Sequence, residues 1–166
     1  MAGLISSLID VLNEQTQYYG ELILLSSQKK EAIIKNDINM LQSVNASESE
    51  MLGKTQRAEK SRIDLTKDIS EVLNVKEEDL TLTKLAELIS GQPEQEALLE
   101  ARDAIRGVVH ELKELNDHNK VLLNNSVEYI EFSLNVMRSA TDSSFMTYDS
   151  RGQEVDNRRN LFDAKQ

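Results

Sequence analysis

The sequence has no cysteine and no tryptophan, a single proline and six glycines among its 166 residues. Without cysteine there is neither a disulfide framework nor thiolate chemistry. The scarcity of turn-forming residues, together with an aromatic content of 4%, argues against a sheet-rich domain and favours long helices. Charged residues make up 29% of the chain and hydrophobic residues 39%, a balance that does not fit a wholly disordered protein.

The chain is also short of positive charge, with a formal net charge of −10 at pH 7. Contact with phosphates needs clustered Lys and Arg, so this charge argues strongly against nucleic acid as a partner and disfavours anionic membrane surfaces. No stretch approaches the roughly 18 uninterrupted apolar residues of a membrane span. The opening segment MAGLISSLIDVLNEQ lacks the basic region of a signal peptide. We therefore expect no nucleic-acid partner and no stable membrane insertion.

Apolar residues recur with the alternating three- and four-residue spacing of coiled-coil seams. One seam predicts a helix over about 3–35 and a second predicts a helix over about 37–73, with Asn36 or Asp37 at the break. The second seam is polar between Asn45 and Lys60. That stretch is either a solvent-exposed extension of an antiparallel hairpin or a mobile segment, and we favour one continuous helix. The seams comprise Leu4, Leu8, Val11, Gln15, Tyr18, Leu22, Leu25, Lys29 and Ala32, then Leu41, Val44, Glu48, Met51, Thr55, Ala58, Arg62, Leu65, Ile69 and Val72.

Two further helices are predicted. The segment TLTKLAELISGQPEQ reads as a short helix over about 81–90, capped by Thr81 and ended by Gly91, and Pro93 suits the first turn of the next helix. That last helix covers about 93–139. Its register places Leu98, Ile105, Leu112, Asn119, Ser126 and Ser133 at a, and Ala101, Val108, Leu115, Leu122, Tyr129 and Val136 at d. Beyond Asn119 the a positions are polar or small and the apolar face moves to d and e, which indicates a change of packing partner.

These patterns predict an all-α fold: long antiparallel helices forming a coiled-coil hairpin or bundle, with a short connecting helix and a flexible C-terminal tail. We assign residues 1–140 to one helical domain. Residues 141–166 form the predicted tail, because the segment TDSSFMTYDSRGQEVDNRRNLFDAKQ has no sustained periodicity.

The sequence contains no recognisable catalytic constellation. His110, Glu114 and His118 stand at successive i, i+4 positions and could suggest a metal site. Helical di-metal sites, however, use Glu-x-x-His repeated on another helix, so solvated surface residues are the better interpretation. Neither a Gly-x-Ser-x-Gly elbow nor a Gly-rich phosphate loop occurs. We predict no metal, no cofactor and no enzymatic activity.

A broad apolar stripe at the end of the last helix is the candidate binding surface. Such a stripe is most often part of a core, but the last helix is longer than the first two, which should therefore cover its C-terminal part at most partly. Exposed apolar helix faces bind amphipathic helices of partners. The predicted binding residues are Leu115, Leu122, Leu123, Tyr129, Ile130, Leu134 and Met137.

Four stretches, in this order, resemble the FlgN family of flagellar type III export chaperones: LIDVLNEQTQYYGELILLSSQKKEAIIKNDINML, TLTKLAELI, LKELNDHNKVLLNNSVEYIEFSLNVM and TYDSRGQ. The resemblance covers nearly the whole chain. It implies a cytoplasmic, coiled-coil-rich protein of flagellum biogenesis without catalytic activity. Its role would be to bind the C-terminal segments of the hook–filament junction (hook-associated) proteins, keep them export-competent and deliver them to the flagellar export apparatus.

Under this resemblance the stripe receives a helix of the client, and Tyr148 is a candidate for docking to the export gate, with plain disorder of the tail as the alternative. The rival interpretation is a homo-oligomeric coiled-coil scaffold or adaptor without client-chaperone activity. In that case the last helix pairs with its own copy and Asn119 sets the register. Self-association without client is compatible with both interpretations.

Overall fold

The computed structural model describes the backbone of residues 1–144 and the side chains of residues 1–139. Within them lie four α-helices: α1 (Ala2–Lys35), α2 (Ile38–Leu73), α3 (Leu82–Leu88) and α4 (Glu94–Ser144), with a 3-10 turn at Glu77–Asp79. Helix α1 packs antiparallel against α2 and α4. The predicted all-α fold of long antiparallel helices is therefore confirmed. The predicted tail lies almost entirely outside the described residues.

Two units make up the chain, Met1–Leu123 and a second that begins at Asn124. The first unit contains α1, α2, α3 and α4 up to Leu123. The second contains, among the described residues, only the remaining turns of α4.

A two-residue turn separates α1 from α2, and both of its residues have a structural role. Asn36 adopts the left-handed conformation, with φ 52°, and donates its N–H to the carbonyl of Ile33 (3.2 Å). Asparagine tolerates this conformation better than most residues do. Asp37 then caps α2, because its Oδ1 accepts the N–H of Met40 at 2.9 Å. The short turn makes α1 and α2 a hairpin.

Short-range contacts also define the connection from α2 to α4. Asn74, with φ 51°, ends α2 in the same left-handed conformation as Asn36. The hydroxyl of Thr81 accepts the N–H of Lys84 at 3.1 Å and so caps α3, as predicted. The turn after α3 contains Gly91 at φ +81°, a conformation that favours glycine. Pro93 lies immediately before α4.

The apolar core lies where the start of α1, the end of α2, helix α3 and the start of α4 meet. Helix α3 is short but contributes two buried residues, Leu85 and Ala86, and the buried Ile89 follows directly after it, so this segment covers an end of the bundle that the long helices alone would leave open. The buried cluster consists of Ile5, Leu8, Leu12, Ile69, Leu80, Leu85, Ala86, Ile89, Leu98 and Ala101.

Further along the hairpin the contact between α1 and α2 becomes polar. Gln15 is 1% exposed, and its Nε2 donates to Glu59 Oε2 at 2.9 Å. Arg62 donates two hydrogen bonds to the same carboxylate, at 2.8 and 2.7 Å, and these hold the pKa of Glu59 below its ordinary value. Helix α2 is continuous through its polar middle, as favoured from the sequence. Met51 and Ala58 of this stretch are buried.

Candidate functional site

Within the described part of the second unit, the most prominent feature is a dense set of exposed apolar side chains. Between Val127 and Met137, seven of eleven side chains are large, apolar and exposed. They are Val127, Tyr129, Ile130, Phe132, Leu134, Val136 and Met137, exposed by 46 to 70%. We call these seven residues the apolar face, although at about 3.6 residues per turn they lie on two sides of α4. One side has Val127, Ile130, Leu134 and Met137, and the other has Tyr129, Phe132 and Val136. Apolar groups concentrated in this way on a surface are typical of protein-binding sites.

The serine within this segment does little to make it polar. The hydroxyl of Ser133 donates to the carbonyl of Tyr129, one turn earlier, at 2.9 Å. Because its hydrogen is committed to the helix backbone, Ser133 adds a small side chain to the segment without offering a free donor. A partner can therefore approach it closely without having to supply an acceptor.

The predicted binding residues fall into two groups. Tyr129, Ile130, Leu134 and Met137 belong to the apolar face of the second unit. The other three, Leu115, Leu122 and Leu123, lie in the first unit, where Leu115 and Leu122 are half-buried and Leu123 is 45% exposed. Tyr148 lies outside the described residues.

Sequence reasoning missed three members of the apolar face. Val127, Phe132 and Val136 are 48, 66 and 51% exposed, but the prediction did not include them. The register placed Val136 at d, and Val127 and Phe132 fall at none of its a, d and e positions. A coiled-coil register assumes that one side of the helix is covered. The signal that could have revealed them is the overall apolar density of the segment, which does not depend on register.

In the first unit, asparagine residues attach α4 to α1. Asn119 is 4% exposed, and its Nδ2 donates to the carbonyl of Ser26 at 2.7 Å. The hydroxyl of Ser26 donates to Asn116 Oδ1 at 2.9 Å. The Oδ1 atom of Asn119 is buried and has no hydrogen-bond partner among the described residues. The scaffold interpretation expected Asn119 to set the register with a second copy, whereas its amide is bonded to α1 of the same chain.

Helices α1, α2 and α4 of the first unit leave an open groove of about 390 Å³ between them, which we call the three-helix groove. Within the groove, Lys29 forms an ion pair with Glu48. Its apolar lining consists of Leu22 and Ile33 from α1, Leu41 and Leu52 from α2, and Leu112 and Leu123 from α4. Its polar lining consists of Ser26, Lys29, Asn45, Glu48, Asn116, Asn119 and Lys120.

The histidine-containing run of α4 shows only a surface contact. His110 Nε2 lies 3.4 Å from Glu114 Oε1, and both side chains are at least 70% exposed. In the part of the chain that the structure describes, no three His, Cys, Asp or Glu residues converge on a possible metal position. A search of the same residues finds no helix with the length and hydrophobicity needed to cross a membrane.

Comparison with protein families matches residues 1–156 to the FlgN family, described as FlgN protein. No curated protein and no solved structure matches the chain. The family match covers nearly the whole sequence and confirms the resemblance drawn from the four sequence stretches. Its members are flagellar export chaperones without enzymatic activity. The chain therefore belongs to the FlgN family of flagellar export chaperones.

Proposed function

We propose that this protein binds the C-terminal helical segments of hook–filament junction (hook-associated) proteins in the cytoplasm, keeps them export-competent and delivers them to the flagellar export apparatus. Family membership supports the class of function. The observation that carries the proposal is the apolar face, seven large side chains exposed within eleven residues. Val127, Ile130, Leu134 and Met137 follow the i, i+3, i+7 spacing of one helix side, and an amphipathic client helix is the natural complement of such a side.

The energetics suit a reversible complex. Fully burying a large apolar side chain contributes about 1.5–3 kcal/mol. Because the side chains of the apolar face are 46 to 70% exposed, covering the four on one side of α4 would contribute roughly 3–6 kcal/mol, and covering all seven on both sides would contribute roughly 6–12 kcal/mol. Association and side-chain ordering consume a large part of that gain. The net affinity is therefore moderate, as a chaperone that must release its client requires.

We extend the proposal to the predicted residues outside the apolar face. Leu115, Leu122 and Leu123 of the first unit contribute further client contacts. Tyr148 is proposed as the docking residue for the export gate. Substitution of Tyr148 by Ala should leave client binding unchanged and weaken binding to the purified export-gate domain.

The test is a binding titration of the purified C-terminal segment of a hook-associated protein from the same organism. An Ile130→Asp/Leu134→Asp variant removes two members of the apolar face, and we expect it to bind at least about tenfold more weakly, because two carboxylates would lose hydration in the complex. A Leu24→Asp/Ile63→Asp variant is the matched control, since Leu24 and Ile63 are 65 and 45% exposed elsewhere on the chain.

Circular dichroism and sedimentation serve as the control that both double variants are folded. Undiminished binding by a folded Ile130→Asp/Leu134→Asp variant would refute the assignment of the apolar face. Sedimentation with and without the segment addresses the scaffold alternative. A stable oligomer that does not respond to the segment would support a scaffold rather than a chaperone.

A further inference from the structure

The three-helix groove is constructed differently from the apolar face. Its floor consists of buried α1 residues, since Leu22, Ser26 and Ile33 are only 4, 2 and 6% exposed. Its rims lie on the two flanking helices, where Leu52 of α2 and Leu123 of α4 are 50 and 45% exposed. A volume of about 390 Å³ falls within the roughly 300–1,000 Å³ of ligand pockets. The groove is thus a concave site with apolar rims.

A helix is the element that this arrangement fits best. Among the described residues, only α1, α2 and α4 line this groove, and no fourth helix fills the valley between α2 and α4 as it would in a four-helix bundle. Helices that bind in grooves insert apolar side chains at i, i+3, i+4 and i+7. Leu52 and Leu123, on opposite rims, would cover such side chains from both sides.

The charges of the groove narrow the identity of the occupant. Lys29 is paired with Glu48, whereas Lys120 is exposed and has no ion-pair partner among the described residues. A carboxylate on the incoming helix would complement Lys120. A second copy of this chain is disfavoured, because two molecules of net charge −10 repel each other.

We propose that the three-helix groove is a second contact site for the client, which receives an amphipathic helix between Leu52 and Leu123 and pairs a carboxylate of that helix with Lys120. This inference rests on the proposed function, because the helix belongs to the same client. It assigns client recognition to α2, a helix that contributes nothing to the apolar face. It also adds one charge-specific contact to a largely apolar interaction.

The experiment titrates the full-length protein with the C-terminal segment of a hook-associated protein. We expect Leu52→Asp to weaken binding about tenfold, because it places a charge on an apolar rim. Leu24→Asp, on the exposed side of α1, is the matched control. We expect Lys120→Glu to weaken binding about two- to fivefold at low salt, as for an exposed ion pair. Lys113→Glu is its control, because Lys113 is exposed on α4 and lies outside the groove lining.

A charge reversal in the segment identifies the pairing directly. When each Asp or Glu of the segment is changed in turn to Lys, one change should restore the affinity of the Lys120→Glu variant and weaken binding to the wild type. If no change does so, the carboxylate contact with Lys120 is refuted. If Leu52→Asp instead dissociates a dimer of the free protein and leaves segment binding intact, the occupant is a second copy and the proposal is overturned.

Failure of this inference can be distinguished from failure of the proposed function. If the Leu52→Asp and Lys120→Glu variants bind normally while Ile130→Asp/Leu134→Asp does not, the groove proposal falls and the apolar face stands. If the groove variants weaken binding and the Ile130→Asp/Leu134→Asp variant does not, the groove is supported and the apolar face is refuted. If the wild-type protein binds no segment at all, both proposals fail.

Discussion

Replacing Asn119 by Leu should stabilise the protein. Asn119 is 4% exposed, and its side chain donates one hydrogen bond, from Nδ2 to the carbonyl of Ser26 at 2.7 Å. Its Oδ1 is buried and has no partner among the described residues. Leucine has a similar branched shape and no polar atoms. The carbonyl of Ser26 would not be left unpaired, because α1 is continuous from Ala2 to Lys35 and this carbonyl retains its bond within the helix.

The magnitude follows from three contributions. Loss of the hydrogen bond costs about 0.5–1.5 kcal/mol, and removal of the unsatisfied acceptor returns about 1–3 kcal/mol. Burial of an apolar side chain adds up to roughly 1.5–3 kcal/mol, although the larger volume of leucine offsets part of that gain. The free energy of unfolding should therefore rise by about 1–2 kcal/mol. For a chain of 166 residues this corresponds to an increase in Tm of about 2–8 °C.

Thermal and urea unfolding of the wild type and the Asn119→Leu variant, followed by circular dichroism, measure this difference. Asn119→Ala is the companion variant: it removes the same polar atoms without filling the space, so it should fall below Asn119→Leu in stability. A decrease of more than about 1 kcal/mol in Asn119→Leu would refute the reasoning. It would show that Oδ1 has a partner in solution, such as an ordered water molecule.

Two other predictions concern the hairpin and the core. Arg62, with a smaller contribution from Gln15, lowers the folded-state pKa of Glu59, so the stabilisation from this carboxylate is complete above the ordinary glutamate pKa and is lost as the pH falls through the lowered value. Between pH 7 and pH 3, the free energy of unfolding measured with urea should fall less for Glu59→Gln than for the wild type. An equal decrease in both proteins would contradict a stabilising role of the Glu59 carboxylate. Leu98 is fully buried, so Leu98→Ala should lower the free energy of unfolding, measured with urea, by about 2–5 kcal/mol. A decrease of less than about 1 kcal/mol would contradict its place in the core.

The long helices could be predicted because their local and tertiary signals agree. Asp37 and Thr81 cap helices, and the seam residues Leu8, Met51 and Leu98 are buried. Such features depend on periodicity and on side chains that bond to their own turn, both of which are visible in sequence. The fold class follows from them because few arrangements bury two long seams joined by a two-residue turn.

The candidate site was harder to predict because it depends on what is absent next to a helix. Phe132 is 66% exposed, and a sequence register cannot show whether another element packs on a side chain. Ser26 shows the opposite case: a polar residue outside the predicted seam is 2% exposed, since Asn116 and Asn119 of α4 bond to it. The three-helix groove likewise arises from three segments far apart in sequence, so no local pattern reveals it.

The two-residue turn between α1 and α2 has a consequence for synthesis on the ribosome. All of α1 and α2 precede residue 74, and Ser26 is 22 residues from Glu48 but 93 from Asn119. Helical hairpins with such local contacts fold quickly. At roughly 5–20 residues per second, about 2–9 seconds separate completion of Leu73 from that of Asn119. For that interval the nascent hairpin presents the α1 surface that α4 later covers, and Ser26 on that surface makes it less prone to aggregation than an unbroken leucine seam.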